Sequence, residues 1–217
     1  MNLILASKSE RRSRLLKKLK IDFKIEDSKL DESKITIKNP SKYCQILATM
    51  KAEIILNNNQ NSIVIGADTI VEINQKILEK PNDYDEAYRM LKKLSGKTHS
   101  VYTGVSILST SKKINFVERT MVTFFKLNDN EIEKYILDNK PYDKSGSYGI
   151  QDDSMLFVKS IKGNYENVIG LPLSKVYRYL LEFKVIVSAV YVCNLTASAP
   201  ISFAFLINSM AFSNFPP

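Results

Sequence analysis

The stretch SIVIGADTIVEINQKIL, residues 62–78, decides the fold. Ser62 to Ala67 is a compact run of β-branched and small apolar residues, which reads as a buried strand ending at Asp68-Thr69. Residues 69–73 and 76–78 then alternate around Asn74-Gln75, the pattern of two short strands about a turn. On this reading Asp68 stands at the C-terminal end of a buried strand, where open α/β sheets place their ligands.

Outward from this stretch, helical and strand patterns alternate. Asn2 to Ala6 reads as a buried strand, and Ser9 is placed to cap a helix over 10–19 with Leu15, Leu16 and Leu19 on its apolar face. A strand is expected over 21–27 and a loop over 28–38. Pro40 suits a helix start, with a helix over 41–57 presenting Ile46, Leu47, Met50, Ile54 and Ile55. Downstream, Asn82 and Asp85 resemble a capping pair for a helix over 83–94 that Gly96 ends. Strands over 98–109 and 113–124 form a hairpin about Ser109 to Lys112. Asn128 and Glu131 repeat the capping pattern for a helix to Leu137. Residues 143–153 form a glycine-containing loop, residues 154–161 a strand, and Pro172 opens a last helix ending near Phe183. This order predicts an α/β sheet protein rather than an all-helical or sandwich fold.

The chain has 217 residues, enough for one substantial core or one two-lobed domain, and 44% of them are apolar. Its net charge is +8, from 31 lysines and arginines against 23 acidic residues. That field favours an anionic ligand. The basic residues are dispersed, unlike the concentrated surface of a nucleic-acid module. Cys44 and Cys193 make neither a disulfide framework nor a repeated metal motif, so a reducing compartment fits. The N-terminus does not read as a signal peptide. Residues 185–217 carry no charge. They read as an extension of the domain over 1–184, more a sticky tail than a membrane anchor, with a final strand over 184–192 as an alternative.

Three sets of residues are candidates for chemistry. Ser7, Lys8, Ser9, Arg11 and Arg12 surround the first strand-to-helix junction, where free backbone N–H groups, hydroxyls and arginine forks suit phosphate oxygens. Arginines in a first helical turn oppose the helix dipole unless an anion sits there. Asp68 suits a divalent ion or a water aimed at a phosphoryl group, with Asp31, Glu32, Glu72 and Glu79 as carboxylates that folding can bring near. Lys51, Lys80, Lys97 and Lys144 are point charges fit to neutralise phosphate. The lone histidine, His99, cannot make a His-rich metal site and is expected to be a surface or hydrogen-bonded residue. Walker, GxGxxG, HExxH and nucleophile-elbow motifs are absent. The residues alone therefore lead to an α/β protein with an anion site.

The ordered set of segments goes further. LILASKSERRSRLL (3–16), DE (31–32), LATMKAE (47–53), VIGADTIV (64–71), ILEKP (77–81), LSGKTHSVYTGV (94–105), DKSGSYGIQ (143–151) and GNYENVIGLPL (163–173) together resemble the Maf family of nucleotide pyrophosphatases. The resemblance implies an elongated mixed β-sheet in two lobes with flanking helices and an active cleft between them. It implies hydrolysis of a nucleoside triphosphate between the α and β phosphates, with Asp68 as the base that activates water. It assigns Ser7, Arg11 and Arg12 to the phosphate-gripping loop and Glu32, Lys51, Lys80 and Lys97 to other cleft positions. It also implies a Mg²⁺ or Mn²⁺ ion, with Glu32 and Asp68 as its ligands, a homodimer and a cytoplasmic enzyme. Neither a stable nucleic-acid partner nor a membrane is expected, unless the C-terminal extension associates with one. Arg12, Thr69 and Gln151 match the branch that acts on dTTP and UTP. A house-cleaning role in nucleotide pools goes with the family. The other reading of the chain is a non-catalytic nucleotide- or nucleic-acid-binding regulator linked to arrest of cell division. Departures from the family pattern are Glu10, Lys20, Glu79, Ser145 and Asp152, and Glu10 and Glu79 add negative charge near the expected triphosphate.

Overall fold

The computed structural model describes residues 2–32 and 35–185. The expectations for residues 186–217, and for Cys193, lie outside the described residues. Seven strands and six helices follow in the order β1 (Asn2–Ala6), α1 (Glu10–Lys17), β2 (Lys24–Ile25), α2 (Pro40–Asn58), β3 (Ser62–Ile73), β4 (Lys76–Leu78), α3 (Tyr84–Leu94), β5 (Thr98–Leu108), β6 (Lys113–Phe124), α4 (Asp129–Asn139), β7 (Val158–Lys162), α5 (Tyr165–Ile169) and α6 (Leu173–Glu182).

One mixed sheet carries them, in the order β2-β1-β3-β5-β6-β7, with β4 also paired to β3. β1 runs parallel to β2 and to β3, and every other pairing is antiparallel. The 12 residues of β3 extend about 40 Å at ordinary strand rise, which makes the sheet elongated. Separate apolar cores lie along it. At one end Ile4, Ala6 and Val64 pack with Ala52 and Ile55 of α2. At the other, Val71, Val101 and Phe124 pack with Leu91 and Leu94 of α3 and Ile132 and Ile136 of α4. The sheet thus continues from one lobe into the next.

Local chemistry explains the helix boundaries. Ser9 caps α1, its hydroxyl accepting from the Arg12 N–H, and Asn39 caps α2 ahead of Pro40. Asn128 and Glu131 form the expected capping box of α4. At α3 the cap is one residue later than the sequence predicts. Asp83 accepts from the Glu86 N–H, and Glu86 reaches back to Asn82. Asn74 and Gln75 both adopt left-handed φ, as a tight hairpin turn requires. Lys20, at a glycine position of the family pattern, has φ 53°, a conformation that favours glycine.

Three expectations are corrected. The strand expected over 21–27 shrinks to Lys24 and Ile25, which pair with Ile4 and Leu5 of β1 and are both exposed, so no burial extends it. The strand expected over 154–161 begins only at Val158. Residues 153–157 make a helical turn capped by Asp152, and their Met155 and Leu156 are exposed. Most consequentially, Asp68 does not end a strand. β3 runs through it without a break, because β5 pairs with β3 from Val64 to Glu72.

Candidate active site

The site lies where one edge of β3 loses its neighbour. On that edge β1 pairs only as far as Ala6 opposite Gly66, and pairing with β4 starts only at Val71, opposite the last β4 residue, Leu78. Ala67 to Ile70 have β5 on one side and no strand on the other. The chain leaving β1 turns at Ser7, whose N–H bonds Leu5 O at 2.9 Å, and enters α1. The loop over 143–149 reaches the same gap, where the Ser145 hydroxyl donates to Thr69 O at 2.8 Å. Asp68 therefore does stand beyond the end of a parallel strand, but the strand that ends is β1.

Alternation along β3 sends its side chains to opposite faces. Gly66, Asp68 and Ile70 face α2. A β-carbon on Gly66 would lie 2.1 Å from Ala48 O, and one on Gly104, the cross-strand partner of Asp68, 2.4 Å from Cys44 O. These two glycines let α2 lie directly on the sheet backbone and bring Lys51 over Asp68. The Lys51 Nζ stands 2.7 Å from Asp68 Oδ1 and 2.7 Å from Glu32 Oε1. Lys51 and Asp68 side chains are nearly buried, while Glu32 is partly open to solvent. Burial raises the Asp68 carboxyl above its ordinary range, and Lys51 and Arg12 act against that rise. Cys44 is buried behind this face, its thiol pushed up to about 12 chiefly by burial, and is inert packing.

Thr69 faces the opposite way, towards α5. Its hydroxyl receives Arg12 Nη2 at 3.0 Å and meets Thr103 Oγ1 at 2.9 Å. Arg12 also donates to Gly170 O at 2.8 Å and to Ser7 Oγ at 3.2 Å. Thr103 continues the network to the carbonyl of the fully buried Asn167, whose amide donates to Val101 O and Thr120 Oγ1. Burial pulls the Arg12 guanidinium below its ordinary value and Asp68 opposes this. The Thr69 hydroxyl is engaged by Arg12 and Thr103 and orients the arginine.

Above this pair of faces opens a cleft of about 780 Å³, lined by eight lysines and arginines and five carboxylates. Ser7, Arg11, Arg12, Glu32, Lys51, Lys80 and Gln151 all line it. A recess of about 110 Å³ continues inward to Asp68 and Thr69, with Val71, Val101, Ile150 and Ile169 among its walls. Lys97 is not brought here. It is exposed and lines a separate hollow with Ile73, Leu78 and Lys93.

The two added acids differ. Glu10 lines the cleft as an exposed side chain paired with the exposed Arg14 at 2.9 Å. Glu79 accepts from the Tyr43 hydroxyl at 2.7 Å and shares a hollow with Glu32, Asp68 and Lys80. Its charge stays near the site, tied to a phenol rather than a lysine. Asp143, Thr103 and Asn167 escaped the sequence reading. Asp143 opens the DKSG segment, and Thr103 and Asn167 lie in the matching segments over 94–105 and 163–173, which were the available signals.

Among the described residues no group of three or more His, Cys, Asp or Glu side chains converges to hold a metal, and no helix is long and apolar enough to cross a membrane. Glu32 and Asp68 converge as a pair on the Lys51 ammonium. Two hard carboxylates beside a phosphate site fit Mg²⁺ or Mn²⁺, which take one or two carboxylates and fill the remaining positions with phosphate oxygens and water.

A cationic cleft over a buried carboxylate, at a break in one edge of a mixed sheet, defines an α/β protein built to receive a phosphorylated small molecule. The chain belongs to the Maf family, since the family model described as Maf-like protein matches residues 2–183. Similar proteins include the "dTTP/UTP pyrophosphatase" of Bacillus cereus (strain G9842), 46% identical over 183 residues that cover 84% of this chain and 96% of the relative. The protein of the same description from Bacillus anthracis (strain CDC 684 / NRRL 3495) is 45% identical over the same shares of both chains.

Proposed function

We propose that this chain hydrolyses dTTP and UTP to the nucleoside monophosphate and pyrophosphate. The observation that carries the reading is the Asp68–Lys51 pair beneath the cationic cleft, in a chain 46% identical to a dTTP/UTP pyrophosphatase. Water attacks the α-phosphorus while the Asp68 carboxylate takes its proton. The bond from the α-phosphorus to the bridging oxygen breaks, and pyrophosphate leaves with the electron pair. Burial makes Asp68 a stronger base than a surface aspartate, and Lys51 holds it ionised and oriented. Ser7, Arg11, Arg12 and Lys80 bind the phosphate chain, and Arg12 is fixed for this by Thr69 and Gly170 O. The recess walls receive a pyrimidine, with Gln151 at its rim.

Glu32 and Asp68 are the residues that would hold Mg²⁺ or Mn²⁺. The ion's contribution is to neutralise charge on the phosphate oxygens. The reading also includes a homodimer, a cytoplasmic location and a house-cleaning role in nucleotide pools. Sedimentation and cell fractionation test the first two.

The central test is product analysis with purified protein, dTTP or UTP, and Mg²⁺. Monophosphate and pyrophosphate in equal amounts are expected. Release of orthophosphate alone, or full activity in Asp68→Asn, overturns the reading.

A further inference from the structure

Three cations of the cleft, Lys51, Arg11 and Lys144, are engaged by carboxylates of the chain. Lys51 is held by Asp68 and Glu32, which the proposed chemistry uses. Arg11 and Lys144 are held otherwise. Arg11 Nη1 lies 2.6 Å from Asp143 Oδ2, and Lys144 Nζ lies 2.9 Å from Asp143 Oδ1. One carboxylate thus bridges two cations, from α1 on one side and from the 143–149 loop on the other, with one oxygen on each.

The three side chains differ in freedom. Lys144 is well seated, at 15% exposure, and a β-carbon on Gly149 would press 2.8 Å from its Cδ and Cε. It has a second, looser partner in Asp152 at 3.7 Å. Arg11 is 29% exposed, but Asp143 is 63% exposed. Lys144 is seated by packing, and the carboxylate between the two cations is the most exposed of the three side chains. Hydrogen bonds from Lys144 and Arg11 outweigh the effect of burial and hold its carboxyl below the ordinary value, so it is an anion at neutral pH.

We propose that Asp143 is a displaceable counter-ion, which holds a phosphate position between Arg11 and Lys144 and yields it to the polyphosphate chain of the substrate. This rests on the phosphate-binding reading of the cleft and adds two elements to it. Lys144 becomes a phosphate-binding residue, and Asp143 sets affinity by competition from within the chain. The carboxylate weakens binding of substrate and of the pyrophosphate product alike, and so favours release. Exposed ion pairs are worth up to about 1 kcal/mol, so the competition is worth up to about fivefold in affinity.

The test uses the full chain and inorganic tripolyphosphate as the probe, titrated by calorimetry in magnesium-free buffer at low ionic strength. Asp143→Asn is expected to bind tripolyphosphate about fivefold more tightly than the parent. Asp153→Asn, which removes the same charge outside the cleft, is expected to leave affinity unchanged. In an Arg11→Gln background the gain from Asp143→Asn shrinks, because half of the seat is gone. With dTTP, Asp143→Asn lowers KM without raising kcat. Unchanged or weaker tripolyphosphate binding in Asp143→Asn overturns the proposal, as does a gain undiminished by Arg11→Gln. A merely structural ion pair would instead lower Tm with no gain in affinity, a result that also overturns it. If the parent releases no pyrophosphate from dTTP, the proposed reaction fails, while the tripolyphosphate titration still decides the role of Asp143.

Discussion

The two faces of β3 at the sheet-edge break are one residue apart in sequence and opposite in chemistry. On the α2 face, Asp68 and Lys51 are a close charged pair on a helix that glycines allow to touch the sheet. On the α5 face, Thr69, Thr103 and Asn167 form a neutral hydrogen-bonded chain that ends on a carbonyl-anchored arginine. Charge costs most to bury and responds most to a reacting group, and on the α5 face the buried charge is that of Arg12. Neutral groups fix orientation at lower cost, and here they hold Arg12. In the proposed reaction, proton transfer belongs to the charged face and placement to the other.

The largest expected effect breaks the charged face. Asp68→Asn keeps the shape and removes the base, so kcat should fall about 10³-fold with little change in Tm. Stopped or quenched assays with dTTP check this, and a loss under tenfold would move the base elsewhere. Lys51→Met leaves two carboxylates facing each other without their cation. Urea unfolding at pH 7 should show a loss of about 3 kcal/mol. The same change removes the influence that lowers the Asp68 carboxyl, so the acid limb of the pH–kcat/KM profile should move to higher pH.

The neutral face has its own pH signature. His99, on β5 with Thr103, is buried, its Nε2 2.7 Å from the Tyr148 hydroxyl, and burial depresses it to about 4. Between pH 6.5 and 4 the unfolded chain binds a proton there that the folded chain refuses. Stability therefore falls as pH falls through that window, by up to about 3 kcal/mol. His99→Gln, which keeps a partner for Tyr148, should flatten that part of the stability–pH curve. The smallest effect sharpens the comparison. Thr103→Val unlinks Thr69 from Asn167 at about 1 kcal/mol of stability. It should raise KM for dTTP more than it lowers kcat, because placement rather than proton transfer is disturbed. An equal loss in kcat would erase the distinction between the faces.

The long hairpin of β5 and β6, the α4 capping box and the turn at Asn74-Gln75 are all local signals, and each is read correctly from the sequence. Asp68 is misread as a terminus because a carboxylate in an apolar run normally stops a strand. Here the charge is carried by Lys51, 17 residues earlier, and the strand continues through it. Met155 and Leu156 suggest a strand by composition, yet Asp152 caps a turn and leaves both in solvent. Ser7, Arg11, Arg12, Lys51 and Gln151 converge as the family pattern implies. Thr103, Asn167 and Asp143 contribute through contacts across 34 to 132 positions of the chain, which no local pattern records. Lys97 shows the reverse, a lysine in a matching segment that faces another hollow.

The gap in the edge of β3 has a measure of its own. From Gly66, the last partner of β1, to Val71, the first partner of β4, there are five residue rises, about 17 Å. That span is set by the backbone ladder and by where two neighbouring strands stop, not by any side chain. Substitutions around the mouth can change what is gripped there, but they leave its width alone. The molecule carries its opening as a fixed gauge, and only an insertion or deletion that shifts β1 or β4 along β3 would recalibrate it.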